Sequence, residues 1–453
     1  MVLLWAQAHA FCGTFVSSSG DLFNSASEIA IVREGQRTTL TMANDFDGDP
    51  EEFAMLVPVP VVLGEDDVRV VDPLVFDRMR AYSAPRLVSY TCDELYPDPP
   101  ERGQSFDVGL FQGGCADYAL QSKGVADTAG GYGGTQIEAQ FIVGEYEIVV
   151  LSSQESTGLL SWLGDNGYQV ADETADLLQD YIDDGSYFFA AKVFVDRIPS
   201  GQPDLSPLQF SYESEGFSLP IRLGTVNSSG SQDLVVYAVT PLDDGRVGIS
   251  NYEEREVEAL CLVEGDNFGA LYTERFRSAV EGDGDDDANW VTEYGWAIKN
   301  TATKCDPCPP GVDPTQPIPA SDIVTLGFDF DGGGGDSGWW GSTPEFYFTR
   351  LHIRYTPEQA TDDLALYVSG LQDNTQYRYV QYEEYLEIEW PICGEGFVDD
   401  PGSCADVDSK YGRRIRKAHN EAEGGCAVNA GPEGAGLALL AGFVSLLASI
   451  RRR

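Results

Sequence analysis

An α+β fold built on a mostly antiparallel sheet is what this sequence predicts, on three grounds. Short apolar runs with alternating character recur along the chain and are joined by tight Gly-containing turns. Helical patterns are few and are grouped, instead of alternating one-to-one with strands as a doubly wound α/β fold requires. Nine cysteines in an apolar-rich chain add disulfides to that picture, because the chain ends look like those of an exported protein.

Taken in order, Ile29–Val32 and Thr38–Thr41 predict a hairpin about Glu34-Gly35-Gln36. Phe53–Val62 reads as a strand, and Pro58 and Pro60 place it at a sheet edge, because proline cannot donate to a ladder. Asp72-Pro73 predicts a capped helix running to about Tyr82. Gln136–Val143 and Tyr146–Leu151 form a second hairpin across Gly144-Glu145, and two helices follow, ending at Gly167 and Gly185. Strands are expected at Ser186–Val195, Leu208–Tyr212, Leu219–Leu223 and Leu234–Thr240, then a helix at Phe268–Val280 and a strand at Trp290–Ile298. Further strands are expected at Glu345–Tyr355, Leu364–Ser369 and Tyr377–Trp390. The division this suggests is a leader remnant (1–10), a main α+β domain (11–300), a Cys/Pro- and Gly-rich linker (301–342) and a returning β element (343–395). A flexible stalk (396–425) and a tail (426–453) complete it.

The tail carries the localisation. Ala435–Ile450 is sixteen residues without a charge and ends on Arg451-Arg452-Arg453. As a helix it would span about 24 Å of a hydrocarbon core of about 30 Å, and the arginines resist crossing. With Gly424-Gly425-Cys426 before it, the segment resembles the C-terminal sorting signal of exported myxobacterial proteins. The resemblance implies that Cys426 is the site of processing and lipid attachment. At the other end, Val2-Leu3-Leu4-Trp5 before Ala8-His9-Ala10 reads as the end of a signal peptide whose start lies further upstream. The expected location is therefore the cell surface, with the membrane as partner through the tail and an envelope polymer or protein as a second partner.

Charge excludes other partners. The chain has 74 acidic and 28 basic residues, a net charge of −46. The last 46 residues hold four acids and eight bases, leaving 70 acids and 20 bases in residues 11–407. Such a body repels nucleic acid. Lys410, Arg413, Arg414, Arg416 and Lys417 are a basic contrast in the stalk, read as a solvated segment or as a dock for anionic surface polymer or for the acidic body itself.

Several blocks together resemble DUF2330, a bacterial domain family of unknown function. They are Phe11-Cys-Gly13, Leu40–Asp45, Asp49-Pro50 through Phe53, Val57-Pro-Val-Pro60, Tyr82–Arg86, Gly158–Gly185, Val291-Thr-Glu-Tyr294 and Thr349–Tyr355. The resemblance covers about residues 11–390 and implies an exported domain with no assigned activity and no assigned catalytic residue.

Candidate chemistry is sparse, and no catalytic residue is assigned. Gly335-Asp336-Ser337-Gly338 matches a serine-protease nucleophile signature, but that mechanism needs a histidine earlier in the mature chain, and with His9 in the leader remnant the other two, His352 and His419, both follow. His352 alternates within a strand and reads as solvent-facing or hydrogen-bonded in place of catalytic. Cys305-Asp-Pro-Cys308 lacks the helix of a redox pair and the second pair of a zinc site. Cys12, Cys92, Cys115, Cys261, Cys305, Cys308, Cys393 and Cys404 are instead disulfide candidates, with Cys92–Cys115 and Cys393–Cys404 as local pairings. No cofactor is expected, calcium alone being left open. Asp283, Asp285 and Asp287 could gather oxygens, whereas Asp45-x-Asp47-x-Asp49 has Pro50 where a calcium loop needs glycine. The reading that follows is a surface-tethered envelope protein with a non-enzymatic binding or structural role; its alternative is an extracellular hydrolase using carboxylates, with calcium.

Overall fold

The computed structural model describes residues 8–9, 14–17, 23–47, 53–89, 134–167, 174–194, 197, 205–227, 230–257, 261–262, 268–281, 287–298, 318–329, 345–372, 375–376 and 378–381. Eleven strands within them build most of the two main sheets: β1 (Phe23–Glu34), β2 (Arg37–Asp47), β3 (Phe53–Val59), β4 (Val68–Val70), β5 (Gln136–Val143), β6 (Tyr146–Ser152), β7 (Tyr187–Val193), β8 (Leu208–Glu213), β9 (Gln232–Pro241), β10 (Asn289–Ile298) and β11 (Phe346–Tyr355). The helices are α1 (Leu74–Ser83), α2 (Ser156–Asp165), α3 (Thr174–Asp183), α4 (Phe268–Val280) and α5 (Ala320–Thr325).

A large sheet runs in the order β10-β11-β9-β1-β2-β8-β4, with Glu253–Glu254 added beyond β10. Its pairings are antiparallel except for β9 with β1 and for two short strands, Ala8–His9 on β9 and Glu253–Glu254 on β10. A smaller, wholly antiparallel sheet runs Thr14–Ser17, β3, β7, β6, β5. Pairing is local in the hairpins β1–β2 and β5–β6, as turn chemistry predicts. It is long-range at β11, which arrives late in sequence and inserts between β10 and β9.

Period-two alternation makes the two sheets face each other. Ile29, Ile31, Leu40 and Met42 of the large sheet meet Val57, Val59, Ile148, Val150 and Phe189 of the small one, all buried. The intervening residues point outward and are covered by helices. On the small sheet, Leu56 and Phe188 lie under Leu159, Trp162 and Leu163 of α2 and Leu178 and Tyr181 of α3. On the large sheet, Val32, Tyr237, Val239 and Phe348 lie under Val75, Phe76 and Met79 of α1 and Ile323 of α5. At the β10 end, Phe276 and Val280 of α4 pack on Val291. The result is four layers, helix–sheet–sheet–helix, and each fully buried Leu or Phe contributes about 1.5–3 kcal/mol before chain entropy is charged against it.

Local signals acted where expected. The Asp72 carboxylate accepts the Leu74 N–H at 2.9 Å and starts α1. Gly185, at φ 82°, ends α3 in a Schellman pattern, with Ser186 N–H donating to the Tyr181 carbonyl at 2.9 Å.

Three expectations differ from the structure. β3 is not an edge strand over its first half, because Thr14–Ser17 pairs with Phe53–Leu56 on one side and β7 pairs with Ala54–Val59 on the other. The prolines fit because Thr14–Ser17 ends opposite Leu56, leaving Pro58 with one neighbour, and Pro60 lies past the strand. Ser218–Leu219 is a strand, but Pro220 interrupts it, and Arg222–Asn227 forms a 3-10 turn where a continuing strand to Leu223 was expected. The stretch 318–329, linker by composition, instead carries α5 and buries Ile318, Ile323, Leu326 and Phe328.

Candidate functional site

β11 reads Phe346-Tyr-Phe-Thr-Arg-Leu-His-Ile-Arg-Tyr355. Alternation sends Leu351, Ile353 and Tyr355 into the core between the sheets. Arg350, His352 and Arg354 therefore share the outer face of the large sheet. On one side, β9 sets Tyr237 opposite Arg350 and Asp233 opposite Arg354. On the other side, β10 slips register between Thr292 and Tyr294. Glu293 is the extra residue of that bulge, and both it and Tyr294 reach the outer face as a result.

The side chains close into an ionic cluster. Arg350 Nε donates to Glu293 Oε2 at 2.5 Å, and the guanidinium lies 5.5 Å over the Tyr237 ring. His352 Nδ1 is 2.9 Å from Glu293 Oε1, and its Nε2 is 3.5 Å from Asp233 Oδ1. Arg354 donates to Asp233 Oδ2 and to Glu281 Oε1, each at 2.5 Å. From α4, Tyr272 donates to Glu293 Oε1, and the Phe276 ring stacks on His352 at 3.8 Å with 10° between the planes. The network continues across the sheet to α1: Tyr237 donates to Glu28 at 2.7 Å, and Arg80 pairs with Glu28 and with Asp77. Glu293, Asp233 and Glu281 offset Arg350, His352 and Arg354, so the centre is neutral as a group.

Burial alone would push both charged partners toward neutrality, but pairing wins. For His352, burial lowers the pKa, while the charge of Glu293 and the hydrogen bonding of the ring toward the Asp233 and Glu293 carboxylates outweigh it and raise it to about 9. For Glu293, 1% exposed, burial acts to raise the pKa, yet Arg350 and His352 hold it well below the usual carboxylate range. Asp233 is likewise lowered against its burial by His352 and Arg354.

What this arrangement can do chemically follows from the imidazole. Both ring nitrogens face carboxylates, so both carry protons at neutral pH and neither offers a lone pair to a substrate. Of the two readings the sequence allowed for His352, hydrogen-bonded is the one observed. The signal for its partners was present in Thr349–Tyr355, where three cations alternate with apolar residues inside a buried strand. A carboxylate had to answer them, but nothing local marks Glu293 or Asp233 as those partners.

The other singled-out residues are not brought to this cluster. Asp287 is exposed beside β10; Asp283 and Asp285 lie outside the described residues. Among the described residues no group of three or more His, Cys, Asp or Glu could hold a metal ion. Cys261 lies on the two-residue strand Cys261–Leu262. Cys12, Cys92, Cys115, Cys305, Cys308, Cys393, Cys404 and Cys426 fall outside the described residues, as do Gly335–Gly338, Lys410–Lys417 and Ala435–Ile450. No described helix is long and apolar enough to cross a membrane.

Two stacked, mainly antiparallel sheets, clad by helices and pinned by an internal ionic cluster, define the class: an α+β protein. The profile of a family described as "Uncharacterized protein conserved in bacteria (DUF2330)" matches residues 6–367, and the chain belongs to that family. Among curated proteins none matches. Among solved structures, the crystal structure of baculovirus P35 is similar at 14% identity over 77% of this chain and 94% of that one, with a TM-score of 0.23, too low to speak for a common fold.

Proposed function

We propose that the protein is exported and held at the cell surface by its C-terminal segment, and that its acidic body has a binding or structural role there, not an enzymatic one. The observation that carries the role is the saturation of His352. This histidine has a carboxylate at each ring nitrogen and the Phe276 ring stacked on its face, which suits a structural clamp and leaves the imidazole itself without a free lone pair at neutral pH. The location is supported by the sequence Gly424-Gly425-Cys426, the apolar run and the terminal arginines. The net charge of −46 suits a solvated surface body and disfavours nucleic acid.

Intact mass spectrometry of the cell-surface form tests the location. A chain ending at or near Cys426 and carrying lipid is expected; an unmodified chain ending at Arg453 rejects it. Hydrolase assays on the purified body test the role. Turnover that disappears in His352→Gln while the fold persists would overturn the structural reading of this cluster.

A further inference from the structure

The opposite end of the large sheet holds a second collection of charges, arranged in another way. β4 pairs with β8 only from Leu208 to Phe210, while β8 continues to Glu213 along β2. Beyond Val68, therefore, Ser211–Glu213 has no strand on its outer side among the described residues. The 3-10 turn Glu65–Asp67 that precedes β4 stands across the gap. The result is a cleft of about 450 Å³ at the sheet edge, within the ordinary range for small-molecule sites.

Two arginines line it. Arg69 is held by Gln209, by its Nε–H, and by the Thr325 carbonyl at 2.8 Å, which leaves the rest of its fork open to the cleft. The Arg37 side chain makes no hydrogen bond or ion pair among the described residues. Glu34 is within electrostatic reach of it but turns its carboxylate to the Asp329 N–H at 3.0 Å. The two guanidiniums also feel each other, since the Arg69 pKa is lowered first by burial and then by the charge of Arg37. Like charges brought together at the mouth of a cavity are a standing site for an anion. The contrast with the rest of this acidic chain is informative, because Arg78, Arg80, Arg222, Arg350 and Arg354 all have carboxylate partners.

The same cleft carries Asp66, Asp67 and Glu213, with Ser211 and Tyr212 between. A bare anion would meet those carboxylates as repulsion, and a neutral ligand would leave the arginines unanswered. A ligand with one carboxylate and several hydroxyl donors satisfies both sets, and a carboxylated sugar is such a ligand. An α-amino acid places its two charges one carbon apart, whereas the acidic groups here come from both the turn and the strand.

We propose that the β4–β8 edge cleft binds a carboxylated sugar, a hexuronate unit free or within a polysaccharide, with its carboxylate between Arg37 and Arg69 and its hydroxyls donating to Asp66, Asp67 and Glu213. This deepens the binding role proposed above and rests on that reading of the body, but not on how the chain is tethered.

Ligand-observed NMR on the purified full chain tests it with D-glucuronate, D-glucose and L-alanine as probes. Saturable binding of glucuronate is expected, with glucose and alanine weaker by about tenfold or more. Arg37→Met, at a side chain with no partner among the described residues, should weaken glucuronate binding by about tenfold or more without lowering the melting temperature. Arg69→Lys should weaken it as well, since the fork geometry is lost. Absence of saturable glucuronate binding, binding undiminished in Arg37→Met, or alanine binding as tightly as glucuronate would each overturn the proposal. Such a result leaves the lipid and C-terminus measurement untouched, so the two failures are distinguishable.

Discussion

At the β10–β11–β9 end of the large sheet, three cations and three anions answer each other beneath α4, and Phe276 covers the histidine at their centre. At the β2–β8–β4 end of the same sheet, Arg37 and Arg69 face a cleft with no carboxylate paired to either among the described residues, although Asp66, Asp67 and Glu213 line it too. Both ends put charged side chains on strands. They differ in whether the fold supplies the partner. Where a bulge delivers Glu293 and a helix seals the result, charge serves to fix the packing. Where the edge strand stops short, the partner has to come from outside. A charged residue inside a strand thus says little about function until its neighbours across the sheet are known.

The comparison can be broken most forcefully at Glu293. Glu293→Gln removes the charge that Arg350 and His352 share, leaving the buried Arg350 without its carboxylate and His352 with Asp233 alone, so a loss of about 3–5 kcal/mol in urea unfolding is expected. A change below about 1 kcal/mol would mean that the cluster does not pin the sheet.

pH is the next lever. Because the folded pKa of His352 is raised from 6.5 to about 9, its contribution is fully present below pH 6.5 and fades as pH rises through about 9. Glu293 and Asp233 are lowered, so theirs is present above the ordinary carboxylate range and is lost on acidification. The melting temperature of the wild type should therefore fall from pH 6.5 toward pH 9.5, by up to roughly 3 kcal/mol of stability. His352→Gln should be less stable at neutral pH and flatter across that window. A parallel decline in both proteins would remove His352 as the cause.

Phe276→Leu keeps the helix apolar but removes the stacked ring, and about 1 kcal/mol of destabilisation by chemical denaturation is expected. The smallest effect belongs to the other end. Arg37→Met should change stability by no more than about 0.5 kcal/mol, or raise it slightly by relieving repulsion from Arg69. A large loss there would show that the open end is also a structural clamp, and the contrast between the two ends would collapse.

Much of the secondary structure was legible because its causes are local. The Glu34-Gly35-Gln36 turn, the Asp72 cap, Gly185 and the apolar pattern of Phe268–Val280 act over a few residues and produced the elements expected of them. Where reading failed, the cause lay far away in sequence: the two-sided pairing of β3 depends on Thr14–Ser17 and on β7, and the burial of residues 318–329 depends on the face presented by β1 and β9.

The sequence by itself determined the acidity of the body, the scarcity of histidine, the family and most elements, because those are properties of composition, motif and short-range periodicity. Only the tertiary structure decided that β11 lies between β10 and β9, that Glu293 and Asp233 meet His352 from opposite sides, and that β4 ends early enough to leave Arg37 and Arg69 at an open edge. Those pairings join residues 59, 119 and more positions apart. A side chain carries its own charge and its own alternation, but the register that chooses its partner is set by every strand between them.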